Sequence, residues 1–291
     1  MPIQQIHIVT VFTLFIFSFS SCKKIKHDEL LIKSERLPAL QGNQFYSAWL
    51  IVDGDTLKAG NFNVEENGEM STEKLTADPA KINSANSFGI SIESSETSKP
   101  SHVFVCSGEF DGDQAILTTA HPLSFQTSFS SAQGTYIMAT VTDAAGTTHE
   151  FSGIWWVTDI SGASPGLTLP DLPEGWTYEG WVKINDQYVS TGRFSNPNSG
   201  DDFFQYGDTL NPPFNFPGED LLYNAPQNVT FPVNLKSKEL FISVEYVNSI
   251  RNNPYLVILQ TTIPSTADFN TPYQMNNSSL MLPTITITRK D

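Results

Sequence analysis

From residue 45 onward the chain alternates short runs of period-two hydrophobicity with compact turn signals, the pattern of strands joined by hairpins. Phe45 to Val52 is a strand-type run that breaks at Asp53-Gly54, two residue types that tolerate the left-handed backbone of a type I′ turn. The return strand runs from Asp55 to Phe62. The polar stretch 69–86, with Asp78-Pro79 inside it, predicts a loop or one short helix. Phe88 to Glu93 alternates apolar with small or polar residues and predicts a half-buried strand. Val103 to Gly108 reads as its hairpin partner, Asp111-Gly112 as a turn and Ala115 to Thr119 as one more strand. Farther on, Thr135 to Thr142 and Phe151 to Thr158 predict strands, the second carrying Trp155-Trp156. Neighbouring strand residues point to opposite faces, so these two tryptophans cannot enter one core. The chain closes on Pro283 to Thr288, a β-branched alternating strand.

The same pattern occurs twice. Tyr46-x-x-Trp49 with Gly60-x-Phe62 returns as Tyr178-x-x-Trp181 with Gly192-x-Phe194, shifted by 132 positions with every spacing kept. Gly89 to Glu93 returns as Phe241 to Glu245 at an offset of 152, which places about twenty extra residues in the insertion 196–232. Split by strand face, Tyr178, Gly180, Val182 and Ile184 form the core side, and Glu179, Trp181 and Lys183 the other. Tyr46 and Tyr178 are therefore expected in the core, with Trp49 and Trp181 covering an outer face or edge. Gly60 and Gly192, at the ends of return strands, suit a bulge or a close backbone approach. The fold expected is all-β, with two tandem, duplicated antiparallel β-sandwich-like domains at 41–159 and 176–291. The Pro- and Gly-rich stretch 160–175 reads as a stiff linker between them.

The N-terminus changes the picture. Ile6 to Phe19 is an apolar run followed by Ser20-Ser21-Cys22, which reads as a signal peptide over 1–21 with a lipobox-like end. Cys22 is the expected lipidation site, and residues 22–40 the flexible tether behind it. No later run reaches the roughly 20 apolar residues of a spanning helix. The expected location is the cell envelope, lipid-anchored at the outer membrane on its periplasmic or surface face. Cys106 is then left without a disulfide partner and reads as a small buried residue.

The repeated Tyr-x-x-Trp and Gly-x-Phe, followed by a period-two strand ending in Glu and a Pro-containing turn, resembles the extracytoplasmic C-terminal domain of anti-sigma-K factors. The resemblance covers about 45–110 and 176–262. It implies an all-β module. In that family the module hangs from a transmembrane helix and a cytoplasmic sigma-binding domain, neither of which follows Cys22, so direct sigma-factor inhibition is not implied. The stretch from His121 to Trp181 resembles surface lipoproteins of the Bacteroidetes type. Asp55-Thr56-Leu57 and Asp208-Thr209-Leu210 resemble an O-glycosylation acceptor motif of such proteins, with Thr56 and Thr209 as acceptors.

Charge and chemistry narrow the function. A formal net charge of −15 argues against a nucleic-acid partner, which needs clustered Lys and Arg. The five histidines are dispersed without zinc spacing. The Asp-Gly-Asp pairs suit turns and lack an EF-hand ligand loop. No Gly-x-Ser-x-Gly elbow or phosphate-cradling loop occurs. No enzyme, cofactor or metal is therefore expected. The expected role is a non-catalytic lipoprotein that binds another envelope protein, as an interaction or envelope-sensing module. The alternative is a glycan-binding lipoprotein whose exposed aromatics, Trp155 or Trp156, Trp49, Trp181 and the Phe-rich segment 203–216, stack on sugar rings.

Overall fold

In the computed structural model the described residues are 27–101, 104–143, 148–161, 164–201, 205–207, 215–249 and 251–291. The signal peptide, Cys22, Thr209 and most of the Phe-rich segment lie outside them. The chain begins with β1 (Glu29–Glu35), the hairpin β2 (Phe45–Val52) and β3 (Asp55–Phe62), and the short β4 (Lys74–Leu75). One helical turn and a half, α1 (Pro79–Ser84), follows where Asp78-Pro79 sits; the Asp78 carboxylate accepts the Ala80 N–H at 2.7 Å and caps it. Then come β5 (Ser87–Glu93), β6 (Cys106–Asp111), β7 (Gln114–Leu117), β8 (Gln133–Met138), β9 (Gly153–Trp155) and β10 (Val157–Asp159). Two short strands, β11 (Ser164–Pro165) and β12 (Leu167–Thr168), lead into β13 (Trp176–Ile184) and β14 (Gln187–Phe194). The chain ends with β15 (Gly218–Asp220), β16 (Glu239–Tyr246), β17 (Leu256–Thr262), β18 (Tyr273–Gln274), β19 (Asn276–Asn277), a 3₁₀ turn at Ser279–Met281 and β20 (Thr284–Lys290).

The protein is all-β with several antiparallel sheets. The largest has the order β3-β2-β5-β6-β7-β20-β1-β4. A second has the order β14-β13-β16-β17-β19, a third β12-β8-β9-β15 with β18 also on β8, and β10 pairs with β11. The repeated sequence pattern corresponds to two units with one layout, β3-β2-β5-β6 and β14-β13-β16-β17. Their registers match: Tyr46 faces Ile92 and Trp49 faces Gly89, as Tyr178 faces Val244 and Trp181 faces Phe241. Both hairpins close through two residues, Asp53-Gly54 and Asn185-Asp186, all four at positive φ as a type I′ turn requires. Both return strands carry a bulge in the same place, at Gly60 with φ +151° and at Gly192 with φ +120°. In each unit the tyrosine stacks on the phenylalanine, Tyr46 on Phe62 and Tyr178 on Phe194. Each tyrosine hydroxyl also donates to a carbonyl eight residues upstream, Pro38 at 2.6 Å and Pro170 at 2.5 Å.

The strands do not sort at the expected boundaries. The expected tether, 22–40, contains β1, which pairs along its whole length with the C-terminal β20 and on its other side with β4. Leu30 and Ile32 of β1 are fully buried. β20 in turn pairs with β7, so the end of the expected second domain completes the sheet of the first. The expected linker is not a bare spacer: Leu167 and Thr168 pair with β8, Ser164 and Pro165 with β10, and Leu169 and Leu172 pack on the core. The insertion in the second unit supplies β15, which pairs with β9. One continuous core cluster runs from Leu30 through Tyr46, Trp156 and Tyr178 to Ile287. Chain neighbours are here less decisive than strand pairing, because each sheet needs edges and faces covered by whichever segment buries the most apolar surface.

Candidate functional site

The four tryptophans expected to bind are all buried, none more than 3% exposed, and Trp176 is 5% exposed. This corrects the expectation of exposed indole faces: none is available for stacking on a sugar. Trp49 does lie on the outer face of its sheet, as its strand face implies, but Phe104 and Ile51 close over it and the Lys58 ammonium sits 5.6 Å from its ring. Its indole N–H donates to Ser91 Oγ at 2.8 Å, and Ser91 donates to Glu93 Oε1 at 2.6 Å. The second unit repeats the chain: Trp181 to Ser243 Oγ at 2.9 Å, Ser243 to Glu245 Oε1 at 2.6 Å. A buried indole N–H needs an acceptor, and this relay provides one in each unit. Trp155 and Trp156 do point to opposite sides. Trp156 enters the main core, while Trp155 forms a small cluster with Ile137, Val157 and Phe216 and donates to Asp220 Oδ1 at 2.7 Å.

Sequence reasoning misses the buried carboxylates: Glu93, Glu179, Glu219, Asp220 and Glu245 are each at most 2% exposed. Strand alternation places Glu179 beside Trp181, and that polar interruption of a strand is the available signal. Glu179 Oε2 accepts Arg193 Nε at 2.6 Å, across the hairpin where the first unit has the neutral pair Ser47 and Asn61. Burial holds the Glu179 carboxyl above its ordinary value, and Arg193 pulls the other way. Burial, with the charges of Asp201 and Asp220 adding, pushes Glu219 up to about 8. Asp220 is also raised by burial, although Thr142 N–H and hydroxyl, at 2.6 and 2.7 Å, and Trp155 stabilise its charge. Glu245 is pushed up to about 7 by burial. Glu93, Glu179, Asp220 and Glu245 accept bonds from side chains or backbone N–H groups of the fold, and among the described residues no cluster of three or more His, Cys, Asp or Glu can hold a metal ion.

Two hydroxyl and imidazole contacts also fall short of nucleophilic chemistry. Ser107 Oγ lies 2.8 Å from His121 Nδ1, yet Ser107 is fully buried and shares a second contact with Ser124. His149 Nδ1 lies 2.9 Å from Asp143 Oδ2 beside a cavity of about 240 Å³, but the nearby Ser152 hydroxyl is held between Leu221 O and Val233 N. Cys106 is buried and its thiol is pushed far up by desolvation, which leaves it unreactive.

A groove of about 450 Å³ lies at the second unit, lined by Asp186, Gln187, Tyr188, Pro226, Gln227, Asn252 and Asn253. Gln187 and Tyr188 start β14, the edge strand of its sheet. The Tyr188 ring is braced edge-on by Phe241 at 5.5 Å, with the Lys183 ammonium 5.8 Å from its centre. Asn252 and Asn253 come from the β16–β17 connection, and Gln41 donates to both their carbonyl oxygens, at 3.1 and 3.3 Å. Four amides beside one ring, with the Asp186 carboxylate also in the lining, offer donors and acceptors suited to a polar ligand.

No protein-family model matches this chain, and neither does any curated protein. Among solved structures, a two-domain fragment of extended synaptotagmin 2 aligns over 99% of this chain and 98% of that chain. Identity is 9% and the TM-score 0.16, too low to carry a likeness of fold.

Proposed function

We propose that this chain is a non-catalytic, lipid-anchored envelope protein that binds an extended segment of a partner protein in the groove at the start of β14. The observation that carries the reading is the placement of four amide side chains and Tyr188 next to an edge strand. Edge strands recognise extended peptides through main-chain hydrogen bonds, and flanking amides fix the register. Anchorage through Cys22 is part of the reading. So is the anti-sigma-K likeness, which supports an extracytoplasmic sensing module.

A glycan is the second reading, and Tyr188 with its amides is the observation that favours it, the tryptophans being buried. Two measurements separate them. The full chain is probed with a library of extended peptides and with a glycan array, each repeated on Tyr188→Ala and on Asn252→Ala/Asn253→Ala. Peptide binding lost in both variants supports the protein reading. Glycan binding lost in both supports the second. Binding of either kind that survives both variants removes the groove as the site.

A further inference from the structure

The groove of the second unit is braced by the first. Gln41, in the segment that follows β1, donates through Nε2 to Asn252 Oδ1 at 3.1 Å and to Asn253 Oδ1 at 3.3 Å. Two residues earlier, Ala39 O accepts a bond from Arg251 Nη1, and Arg251 Nε donates to Asn253 O at 3.3 Å. An amide nitrogen carries two hydrogens and accepts nothing, so Gln41 Nε2 holds both asparagines by their oxygens. Their Nδ2 groups have no partner among the described residues and are left to the groove that both residues line. This wall therefore offers donors. None of the lining residues is a cation, and the Asp186 carboxylate lies 3.3 Å from Lys183 Nζ. A neutral acceptor suits such a wall better than a carboxylate.

Tyr188 brings main-chain groups to the same groove. The two-residue turn Asn185-Asp186 makes Ile184 and Gln187 a hydrogen-bonded pair, so by alternation Lys183 and Tyr188 form a non-bonded one. The N–H and C=O of Tyr188 then point away from β13, out of the sheet edge. Ser190, next in the same phase, is buried, which limits the open strip to 187–189. In the first unit the residues in these two places are Thr56 and Lys58. There the edge is guarded: Lys58 Nζ meets Glu96 Oε2 at 2.6 Å, and Asn61 Nδ2 donates to Glu96 Oε1. A lysine on an edge strand discourages the addition of another strand. The second unit has Ser190 instead, and its edge carries no such guard.

We propose that Gln41 is a positioning residue for the groove: by holding Asn252 and Asn253 by their oxygens, it turns their N–H groups to the main-chain carbonyls of an extended peptide that pairs with Tyr188. The inference rests on the peptide reading above and adds what is recognised, the neutral backbone and not a charged chain end. In an extended chain the residue that pairs with Tyr188 is followed by one whose N–H and C=O point the other way. That second carbonyl is the acceptor for the asparagine donors.

The probe is a library of uncharged pentapeptides blocked by acetyl and amide groups, screened on the full chain. A member that binds is remade with a backbone ester in place of each amide in turn, and once with a free C-terminal carboxylate. Ester substitution at one or two central positions is expected to weaken binding up to about tenfold, and the free carboxylate to bring no gain. Gln41→Glu keeps the length of the side chain but offers the asparagines only acceptors, which reverses their amides, so binding should fall about tenfold with the melt unchanged. Were that variant to melt lower, Gln41→Ala takes its place, with a severalfold loss expected. Undiminished binding in the Gln41 variant, esters without effect at every position, or a gain from the free carboxylate each overturns the inference. The peptide reading survives those results as long as binding is lost in Tyr188→Ala. If no member binds, or if binding persists in Tyr188→Ala, the reading and the inference fall together.

Discussion

Gly180 shows how closely the two units are fitted to different surroundings. Its counterpart in the first unit is Ala48. A methyl at Gly180 would lie 2.4 Å from Thr191 Oγ1 and 2.7 Å from Trp156 Nε1, both buried. Gly180→Ala is therefore expected to destabilise by about 1–3 kcal/mol, seen as a lower denaturant midpoint with an unchanged slope. An unchanged midpoint would mean that Trp156 shifts freely. Tyr178→Phe removes the hydroxyl that donates to Pro170 O, and about 1 kcal/mol is expected from that loss alone. At this scale the tyrosines are legible in the sequence, because period two assigns them a face. The burial of the tryptophans is not. Phe104 covers Trp49 from 55 residues away, and Asp220 reaches Trp155 from an insertion with no strand signal of its own.

Among the elements, hairpins are the most legible, since Asp53-Gly54 and Asn185-Asp186 carry their turn chemistry locally and fix both register and strand ends. β1 reads as tether in the sequence because the stretch 23–40 around it is polar and mixed in charge. The alternation of buried Leu30 and Ile32 with exposed or half-buried neighbours is present there, but its partner β20 lies more than 240 residues away. Pairing of this kind leaves no local trace. The structure makes β1 an interior strand between β20 and β4. Removal of residues 1–26 is expected to leave the thermal transition in place. Removal of 1–37 should abolish it or lower it by roughly 10 °C or more, because two buried aliphatics and two ladders are lost together. Circular dichroism melts of the two truncations check this. Equal melting of both would return β1 to the role of tether.

For the whole molecule, anchorage and pH are the properties to measure. Cys22→Ser is expected to move the protein from the membrane to the soluble fraction without altering its melt; retention on the membrane would remove the lipid anchor. The pH response follows from the buried carboxyls. Glu245 and Glu219 are raised from 4.5 to about 7 and about 8. The folded state therefore binds these protons more tightly than the unfolded chain does. Their stabilisation is fully present below about 4.5 and is lost as pH rises through 7 and 8. Glu245 alone accounts for on the order of 3 kcal/mol at most. Between pH 6 and 8.5 the thermal midpoint should thus fall, the reverse of a protein held by ion-paired carboxylates with depressed values. The Glu245→Gln/Glu219→Gln double variant should flatten the slope in that window. A wild-type midpoint that is constant or rises from pH 6 to 8.5 would mean that both carboxylates are ionised within the fold.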